Sequence, residues 1–509
     1  MDGSTYGFTA PPSPEQLAGY PLNDLGNAMR LIRMVGGAFE DDGTVDARGA
    51  RLLYLRERGW IAYNGRYWDL RGGEELARRW AHKVAQGLIA QGPYWTLGGI
   101  VWAKFVTASG NAGAAGAMLA QAASYLGADL TDFDRDPLAL NLANGVLRFR
   151  VARSGPEAHF AARHDPADRF TRMARAEWRG AEDPRPQFDA LLAFCQPAPE
   201  MRGYVQKLLG YAATGSTKEQ LFAIFQGKGG DGKSTLMNAV REVLGSYAVS
   251  AAVETFLDTG LRRPGEASPD IARLAGDTRL ICTAEPPSGS KLASSSIKAF
   301  TGGAPIAARE LRQGIFEFAP IGKVVLECNR RPTINDTDDG IWRRTRIVLF
   351  EHQVPAARID RELPEKLRVE QAGILAWLAD GVLKWLAEGL ATPAPVQRAL
   401  EDYRRGGNAF AEWHADKVIL DPGVRTRAAD LYASYKLWCE DEGVDRPMST
   451  TAFGRALGDL QILVCGKDSS GKKMRMGARL RTSFDPDPDG SASAGAAENA
   501  FAGRADWEA

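Results

Sequence analysis

Apolar and polar positions along this chain change period several times, and each change predicts an element. In the first third, Trp60-Ile61-Ala62-Tyr63 and Arg66-Tyr67-Trp68-Asp69-Leu70 flank Asn64-Gly65, a two-residue hairpin signal. Glu74 to about Gly87 has the spacing of an amphipathic helix, and the Ala-rich stretch from Gly110 to Leu126 reads as another. A second hairpin is expected at Asn144-Gly145, between Leu138-Ala139-Leu140 and Val146-Leu147-Arg148-Phe149. The aromatic residues of this region read as core rather than as a base-stacking surface. Residues 187–210 are expected to be helical.

From about 215 to 355 apolar strand-length runs alternate with helices and loops, an α/β pattern. Leu221-Phe222-Ala223-Ile224-Phe225 reads as a buried strand. Leu236, Val240 and Val243 then recur at helical spacing, with Gly245 as the stop. Residues 366–405 read as helical, with Leu367, Ile374, Trp377, Leu378, Leu383 and Trp385 inward. A last module begins near 409. In it Leu431, Tyr435 and Trp438 share one face of a helix over Ala428–Glu442. Ser449 or Thr450 caps a second helix running to about Leu460. Ile462-Leu463-Val464, a turn at Asp468–Gly471 and Lys472–Met476 follow as a hairpin. The first 15 residues and the tail from Ser483, rich in Asp, Pro, Gly, Ser and Ala, are expected to be disordered.

Composition adds bounds rather than function. Hydrophobic content of 44% and charged content of 25% suit a globular protein of several domains over 509 residues. Lys plus Arg and Asp plus Glu are equal at 63 each, so only local charge can indicate a partner. The five cysteines lie far apart without a CxxC pair, which argues for reduced thiols and against structural zinc. There is no apolar run of membrane-spanning length and no basic-then-apolar leader, so no membrane association is expected.

Candidate chemistry centres on Gly227-Lys228-Gly229-Gly230-Asp231-Gly232-Lys233-Ser234, which fits GxxxxGK[ST] at every fixed position. Glycines allow backbone N–H groups to turn inward around phosphate oxygens. The cofactor-binding set expected here is Gly227, Gly229, Gly230, Asp231, Gly232, Lys233, Ser234 and Thr235. Lys233 reaches the terminal phosphates of a nucleoside triphosphate, and the Ser234 hydroxyl sits on Mg2+. The loop lies between a strand and a helix N-terminus, where free N–H groups and the helix dipole favour an anion. Downstream, Arg279-Leu280-Ile281-Cys282-Thr283-Ala284-Glu285 is a strand ending in an acid that can hold the metal shell or activate water. Lys323-Val324-Val325-Leu326-Glu327-Cys328-Asn329 is a strand ending in an amide suited to the γ-phosphate or the attacking water. Asp338-Asp339-Gly340-Ile341-Trp342-Arg343-Arg344 offers two candidates for an arginine finger. Between acid and amide lie Ser296–Gly303, read as a helix and a Gly-Gly turn, and a basic hairpin whose tip is near Arg312-Gln313-Gly314. Lys298, Arg309 and Arg312 are its candidates for gripping a phosphate backbone.

In this order the residues resemble a superfamily 3 helicase of the AAA+ class. The resemblance is to the helicase half of phage, plasmid and poxvirus-type primase–helicases. It rests on the GKGGDGKS loop, the strand ending in Glu285, IKAFTGG with its hairpin, the strand ending in Asn329, and DDGIWRR. It extends to NGRYW, DPLALNLANGVL and LGYAATGSTKEQLF on the N-terminal side. It implies a multidomain chain: an α+β N-terminal domain (16–185), an α/β AAA+ P-loop ATPase core (186–365), a helical connector (366–408) and a C-terminal winged helix (409–482). In the last of these, Lys472, Lys473 and Arg475 are the expected DNA contacts, within a wing that also carries Lys467, Arg479 and Arg481.

What the resemblance implies is a homo-hexamer that uses ATP and Mg2+ to move 3′→5′ on single-stranded and replication-fork DNA. Lys233, Glu285 and Asn329 are then catalytic, Ser234 and Glu285 hold the metal, and Arg343 or Arg344 acts across a subunit interface. Phage, prophage or plasmid replication, a cytoplasmic location in a bacterial or phage-infected cell, and a separate primase partner are expected. The match begins near Tyr20, where such a helicase half starts, so primer synthesis is not expected. Two departures are visible. Gly302-Gly303-Ala304 stands where the family often has Gly-Gly-Asp, and the metal strand supplies one acid, Glu285, where other superfamily 3 members can show two. The competing readings are a AAA+ loader or remodeller that does not unwind, a DNA-binding regulator with a degenerate ATPase, and a monomeric P-loop kinase.

Overall fold

The computed structural model describes residues 11–482 and Asp485, apart from 57, 96–98, 259, 261–267, 288–289, 310–314, 335–338, 356–357, 443 and 445–446, and the side chains of 405–408 and 411. The chain divides into two compact units, Met1–Pro332 with Asp338–Gln397, and Thr333–Thr337 with Arg398–Ala509.

The first unit begins with α1 (Pro14–Ala18), started by a reciprocal capping box between Ser13 and Gln16. The helix therefore opens inside the stretch expected to lack structure. After α2 (Asp24–Met34) come the paired strands β1 (Ala38–Phe39) and β2 (Val45–Asp46). Strands β3 (Leu52–Leu55), β4 (Gly59–Tyr63), β5 (Trp68–Asp69) and β6 (Gly127–Ala128) form a four-stranded sheet in the order β5-β4-β3-β6. Helices α3 (Gly73–Gln91), α4 (Gly99–Ser109) and α5 (Ala112–Ala123) accompany it. Leu31, Leu53, Ile61, Trp68, Val84 and Met118 belong to its buried core.

Both expected hairpins form, each with a different turn. Tyr63 pairs with Trp68, so the first loop has four residues, Asn64–Tyr67. Asn64 Oδ1 accepts from the N–H groups of Arg66 and Tyr67, a side-chain turn that holds the wider loop. In the second, β7 (Ala139–Leu142) meets β8 (Gly145–Ala152) with Leu142 opposite Gly145, so the turn is Ala143-Asn144. Gly145 is needed for close approach instead, since a Cβ there would lie 2.2 Å from the carbonyl oxygen of Ala161 on β9 (Gly155–Ala161).

Helices α6 (Pro186–Cys195) and α7 (Pro199–Ala212), broken at Gln196-Pro197-Ala198, lead into the central sheet. That sheet is parallel throughout, in the order β11 (Ala248–Ala251), β12 (Leu280–Thr283), β15 (Lys323–Cys328), β10 (Phe222–Gly227), β16 (Thr345–Phe350). Phe222 to Phe225 are fully buried, as a central strand covered on both faces requires. Around the sheet lie α8 (Lys233–Leu244), α9 (Pro269–Ala272), α10 (Ser294–Gly302), the hairpin β13 (Ile306–Arg309) and β14 (Ile315–Phe318), α11 (Asp339–Trp342), α12 (Leu363–Val369) and α13 (Gln371–Glu388). Helix α13 meets α7 backbone to backbone. A Cβ on Gly210 would lie 2.4 Å from the carbonyl carbon of Gly381.

Leu147 and Phe149 of the antiparallel sheet, Leu208 of α7, Phe225, Val240 and Leu378 of α13 belong to one buried core. Side chains on both sides of the expected boundaries at 185/186 and 365/366 thus share it. Beneath the sheet, Arg279 is fully buried. It donates to both oxygens of Asp277 at 2.7 Å and lies 4.4 Å above the Tyr247 ring.

The second unit takes the C-terminal part of α14 (Ala394–Lys417), then β17 (Val418–Arg427), α15 (Ala428–Asp441), α16 (Thr450–Asp459), β18 (Leu463–Lys467) and β19 (Lys473–Leu480). Ser449 caps α16, its Oγ accepting from Ala452 N at 3.3 Å. The expected helix–helix–hairpin order holds, preceded by a strand that was not expected. β17 pairs with β19, and its register shifts between Asp421 and Arg425, an irregularity that takes up Pro422, Gly423 and Val424. Trp413, Leu431, Tyr435, Phe453 and Ile462 fill the core, with the Tyr435 and Phe453 rings stacked at 5.0 Å.

Candidate active site

The loop from Gly227 to Gly232 joins the end of β10 to the start of α8. Gly229, Gly230 and Gly232 have φ of 85°, 64° and 81°, the left-handed region that such a cradle uses. A Cβ on Gly230 would meet only open space, whereas one on Gly232 would lie 2.6 Å from Cys195 Sγ. Cys195 closes α6 and donates its thiol to the Asp231 carbonyl at 3.3 Å. Burial pushes that thiol up to about 12, so it remains a protonated donor. Beyond β16, Gln353 Nε2 donates to Gly229 O at 2.8 Å and Val354 N to Gly230 O at 2.7 Å. These supports come from segments that no loop motif marks.

Asp231, expected among the nucleotide contacts, is turned into the loop and is 2% exposed. Its carboxylate accepts from Gly229 N at 3.1 Å, Lys233 N at 3.2 Å and Lys233 Nζ at 3.0 Å. In this arrangement it braces the loop, because a buried carboxylate needs nearby donors.

Lys233, Ser234, Thr235, Glu285, Glu327 and Asn329 line a cavity of about 520 Å³ at the C-terminal edge of the parallel sheet. Lys233 Nζ donates to Asn329 Oδ1 at 3.0 Å. Asn329 in turn donates its backbone N–H to Glu285 Oε1 at 3.0 Å and its Nδ2 to Glu285 Oε2 at 2.7 Å. Three of the five residues expected to be catalytic, Lys233, Asn329 and Glu285, are therefore brought into one hydrogen-bonded chain. Ser234 Oγ donates to Glu327 Oε2 at 2.7 Å. Glu327 was not singled out in the sequence. Burial raises its pKa, opposed by the Ser234 hydrogen bond and by Lys233. Its signal was a lone acid within Val324-Val325-Leu326-Glu327-Cys328, an otherwise apolar strand where a carboxylate is costly.

The donor set fits a nucleoside triphosphate with magnesium. A glycine cradle and a lysine suit phosphate, and a hydroxyl with carboxylate oxygens suits a hard cation.

Arg343 and Arg344 part company. Trp342 is buried as expected, Arg343 is exposed, and Arg344 is buried with its Nη1 donating to Gly340 O at 2.7 Å. The Arg344 backbone carbonyl also accepts from Phe222 N at 2.9 Å, beside the start of β10. Arg344 thus commits one guanidinium nitrogen to its own turn, and of the two finger candidates Arg343 is the exposed one. Arg346 donates to Arg343 O at 2.7 Å and braces the same turn.

Lys298 is half-buried on α10, and Arg309 is exposed on β13 with its backbone N–H donating to Ser268 Oγ at 3.2 Å. Arg312 lies outside the described residues. In the second unit Lys467, Lys472 and Lys473 are exposed on the hairpin. Arg475, also expected to contact DNA, is buried instead. It donates to Ile462 O, just past α16, and to Gly454 O inside that helix, both at 2.7 Å. Arg479 is paired with Asp485 at 2.6 Å.

Residues 41–201 match the family described as D5 N terminal like. The chain is 28% identical over 262 residues to "Putative helicase L207/L206" of Acanthamoeba polyphaga mimivirus, covering 48% of this chain and 27% of that protein. It is 28% identical over 243 residues to "Putative helicase 022R" of Frog virus 3 (isolate Goorha), covering 44% and 25%. A "Putative primase" of African swine fever virus is 28% identical over 216 residues, covering 42% and 22%. The chain thus spans about a quarter of the length of these relatives. Among solved structures, the apo C terminal region of NrS-1 aligns with TM-score 0.35 at 11% identity, covering 68% of this chain and 99% of that one. The family match and the viral relatives make this chain similar to primase–helicases over those stretches. Among the described residues no helix is long and apolar enough to cross a membrane.

Proposed function

We propose that this chain is an ATP-dependent DNA helicase, a superfamily 3 motor of the AAA+ class that acts 3′→5′ in phage, prophage or plasmid replication. One observation carries the reading. Lys233, Ser234, Glu285 and Asn329 converge on a single cavity at the edge of a parallel sheet, with Asn329 bonded to both Lys233 and Glu285. The AAA+ assignment is supported by the strand order, in which the loop strand β10 lies between the Asn329 strand and β16. The winged-helix assignment is supported by the order α14-β17-α15-α16-β18-β19.

In this reading Lys233 holds the terminal phosphates of ATP and Ser234 its magnesium. The metal's contribution is to neutralise charge on the phosphate oxygens. Glu285, its carboxylate aligned by Asn329, takes the proton of the attacking water. Asn329 links that base to Lys233 and so registers the γ-phosphate. Arg343 projects to a neighbouring subunit, which makes a ring, expected to be a hexamer, necessary for full activity. Arg309, Lys298 and Arg312 hold single-stranded DNA, and Lys472 and Lys473 contact fork DNA. A separate primase supplies primers.

Strand displacement on a forked duplex tests the reading. ATP-dependent release of the displaced strand is expected. DNA-stimulated hydrolysis without release would favour a loader or remodeller instead.

A further inference from the structure

The carboxylate that the metal strand lacks has a counterpart one strand away. β12 runs beside β15 with Leu280 opposite Lys323 and Thr283 opposite Leu326. Continuing that register by one residue sets Ala284 opposite Glu327. Register partners on parallel neighbours face the same side of a sheet, about 4.8 Å apart. Ala284 and Glu327 line the same cavity. The position after the β12 strand therefore offers a methyl group, and the adjacent strand offers a carboxylate.

Three further observations show which task that carboxylate can take. Glu327 Oε2 accepts from Ser234 Oγ at 2.7 Å, the hydroxyl that follows the loop lysine. Glu285 is otherwise engaged, because both of its oxygens accept from Asn329. Glu327 is the one acid on β15, and its carboxylate lines the same cavity as Lys233 and Ser234. Magnesium in phosphate sites takes one or two carboxylates, the nucleotide oxygens and water, so a hydroxyl and a single acid suffice from the protein.

We propose that Glu327, together with Ser234, supplies the protein side of the magnesium shell, standing in for the acid absent at Ala284 and leaving Glu285 to water activation. The proposal rests on the ATP-site reading above and divides its two acids by role.

Equilibrium binding of a fluorescent ATP analogue to the full chain, with and without Mg2+, tests it. Mn2+ binding followed by electron paramagnetic resonance is the second readout. Glu327→Gln keeps the shape of the side chain and its bond to Ser234. It should bind metal-free nucleotide like the parent but lose at least roughly 10-fold of the tightening that Mg2+ gives, since even outer-shell partners of a metal ligand act on that scale. The Mn2+ signal of bound metal should weaken in parallel. Glu285→Gln should keep the Mg2+ effect. Restoring the acid on the neighbouring strand, in Ala284→Asp with Glu327→Gln, should recover it.

A Glu327→Gln chain with the parent's Mg2+ effect overturns the assignment. So does equal loss of metal-free binding, which would make Glu327 a prop for the loop. A parent chain that binds no nucleotide under either condition fails differently, because it removes the ATP site itself.

Discussion

Asn329 clamps Glu285 in two places, its backbone N–H on Oε1 at 3.0 Å and its side-chain amide on Oε2 at 2.7 Å. The clamp fixes the plane of a carboxylate that lies two residues beyond β12. It also joins that carboxylate to Lys233, whose Nζ donates to the other side of the same amide. Glu285→Gln should therefore leave ATP binding intact and lower the hydrolysis rate by about 10²-fold or more. Paired measurements of nucleotide affinity and steady-state turnover check this. Unchanged turnover would remove Glu285 as the base.

Arg343 and Arg344 are adjacent in sequence and opposite in exposure, and their variants should behave differently. Arg343→Ala should melt like the parent and lose about 10³-fold in hydrolysis, the scale of trans-acting fingers. Mixing it with Lys233→Ala subunits should restore part of the activity. Arg344→Ala removes a buried guanidinium from the Gly340 carbonyl and should cost about 1–3 kcal/mol of stability. Thermal melting beside ATPase assays separates the two.

The C-terminal hairpin divides in the same way. Arg475→Ala strips the Ile462 and Gly454 carbonyls of a charged donor and should destabilise the chain by about 2 kcal/mol or more. Lys472→Ala with Lys473→Ala should leave the melting temperature in place. It should weaken fork binding, with a salt slope shallower by about 0.9 for each duplex phosphate that is no longer neutralised. Fluorescence anisotropy over a salt series, next to a melting curve, gives both readings.

Sequence spacing made some of this site legible and left the rest to the fold. The phosphate loop is local, so its glycines, lysine and serine can be recognised without neighbours. Glu285 and Asn329 end apolar runs, and a polar residue at a strand end invites attention. Glu327 sits inside a run, and its value appears only when β15 lies between β10 and β12. Arg344 and Arg475 carry the same charge as their exposed neighbours. Their burial depends on which backbone carbonyls the tertiary fold sets within their reach. β17 was hidden by Pro422-Gly423, which reads as a turn and is accommodated within the register irregularity. Helix α4 was missed because its apolar residues do not keep to one face, and Ile100 and Val101 remain 76% and 54% exposed.

Asp134 should make stability depend on pH. Burial, reinforced by Asp277, raises its pKa from 3.8 to about 7, although Thr171 donates both its N–H and its hydroxyl to the carboxylate. A carboxyl with a raised folded pKa gives up stability as pH climbs from its unfolded value through its folded one. The parent should therefore lose part of its stability between about pH 4 and 7 through this group. Asp134→Asn, whose Oδ1 can still accept from the Thr171 N–H while its Nδ2 donates to the Thr171 hydroxyl, should show a smaller loss over the same range. Melting temperatures of both chains across that range check the difference. Parallel curves would count against it.

The most direct measurement is ATP hydrolysis by the full chain with and without single-stranded DNA, for the parent and for Lys233→Ala. The expected result is hydrolysis stimulated by DNA in the parent and abolished in the variant. The variant removes the loop's cation for the terminal phosphates. Equal hydrolysis by the two chains, or none by the parent in the presence of DNA and Mg2+, would contradict a DNA-driven ATPase at this site.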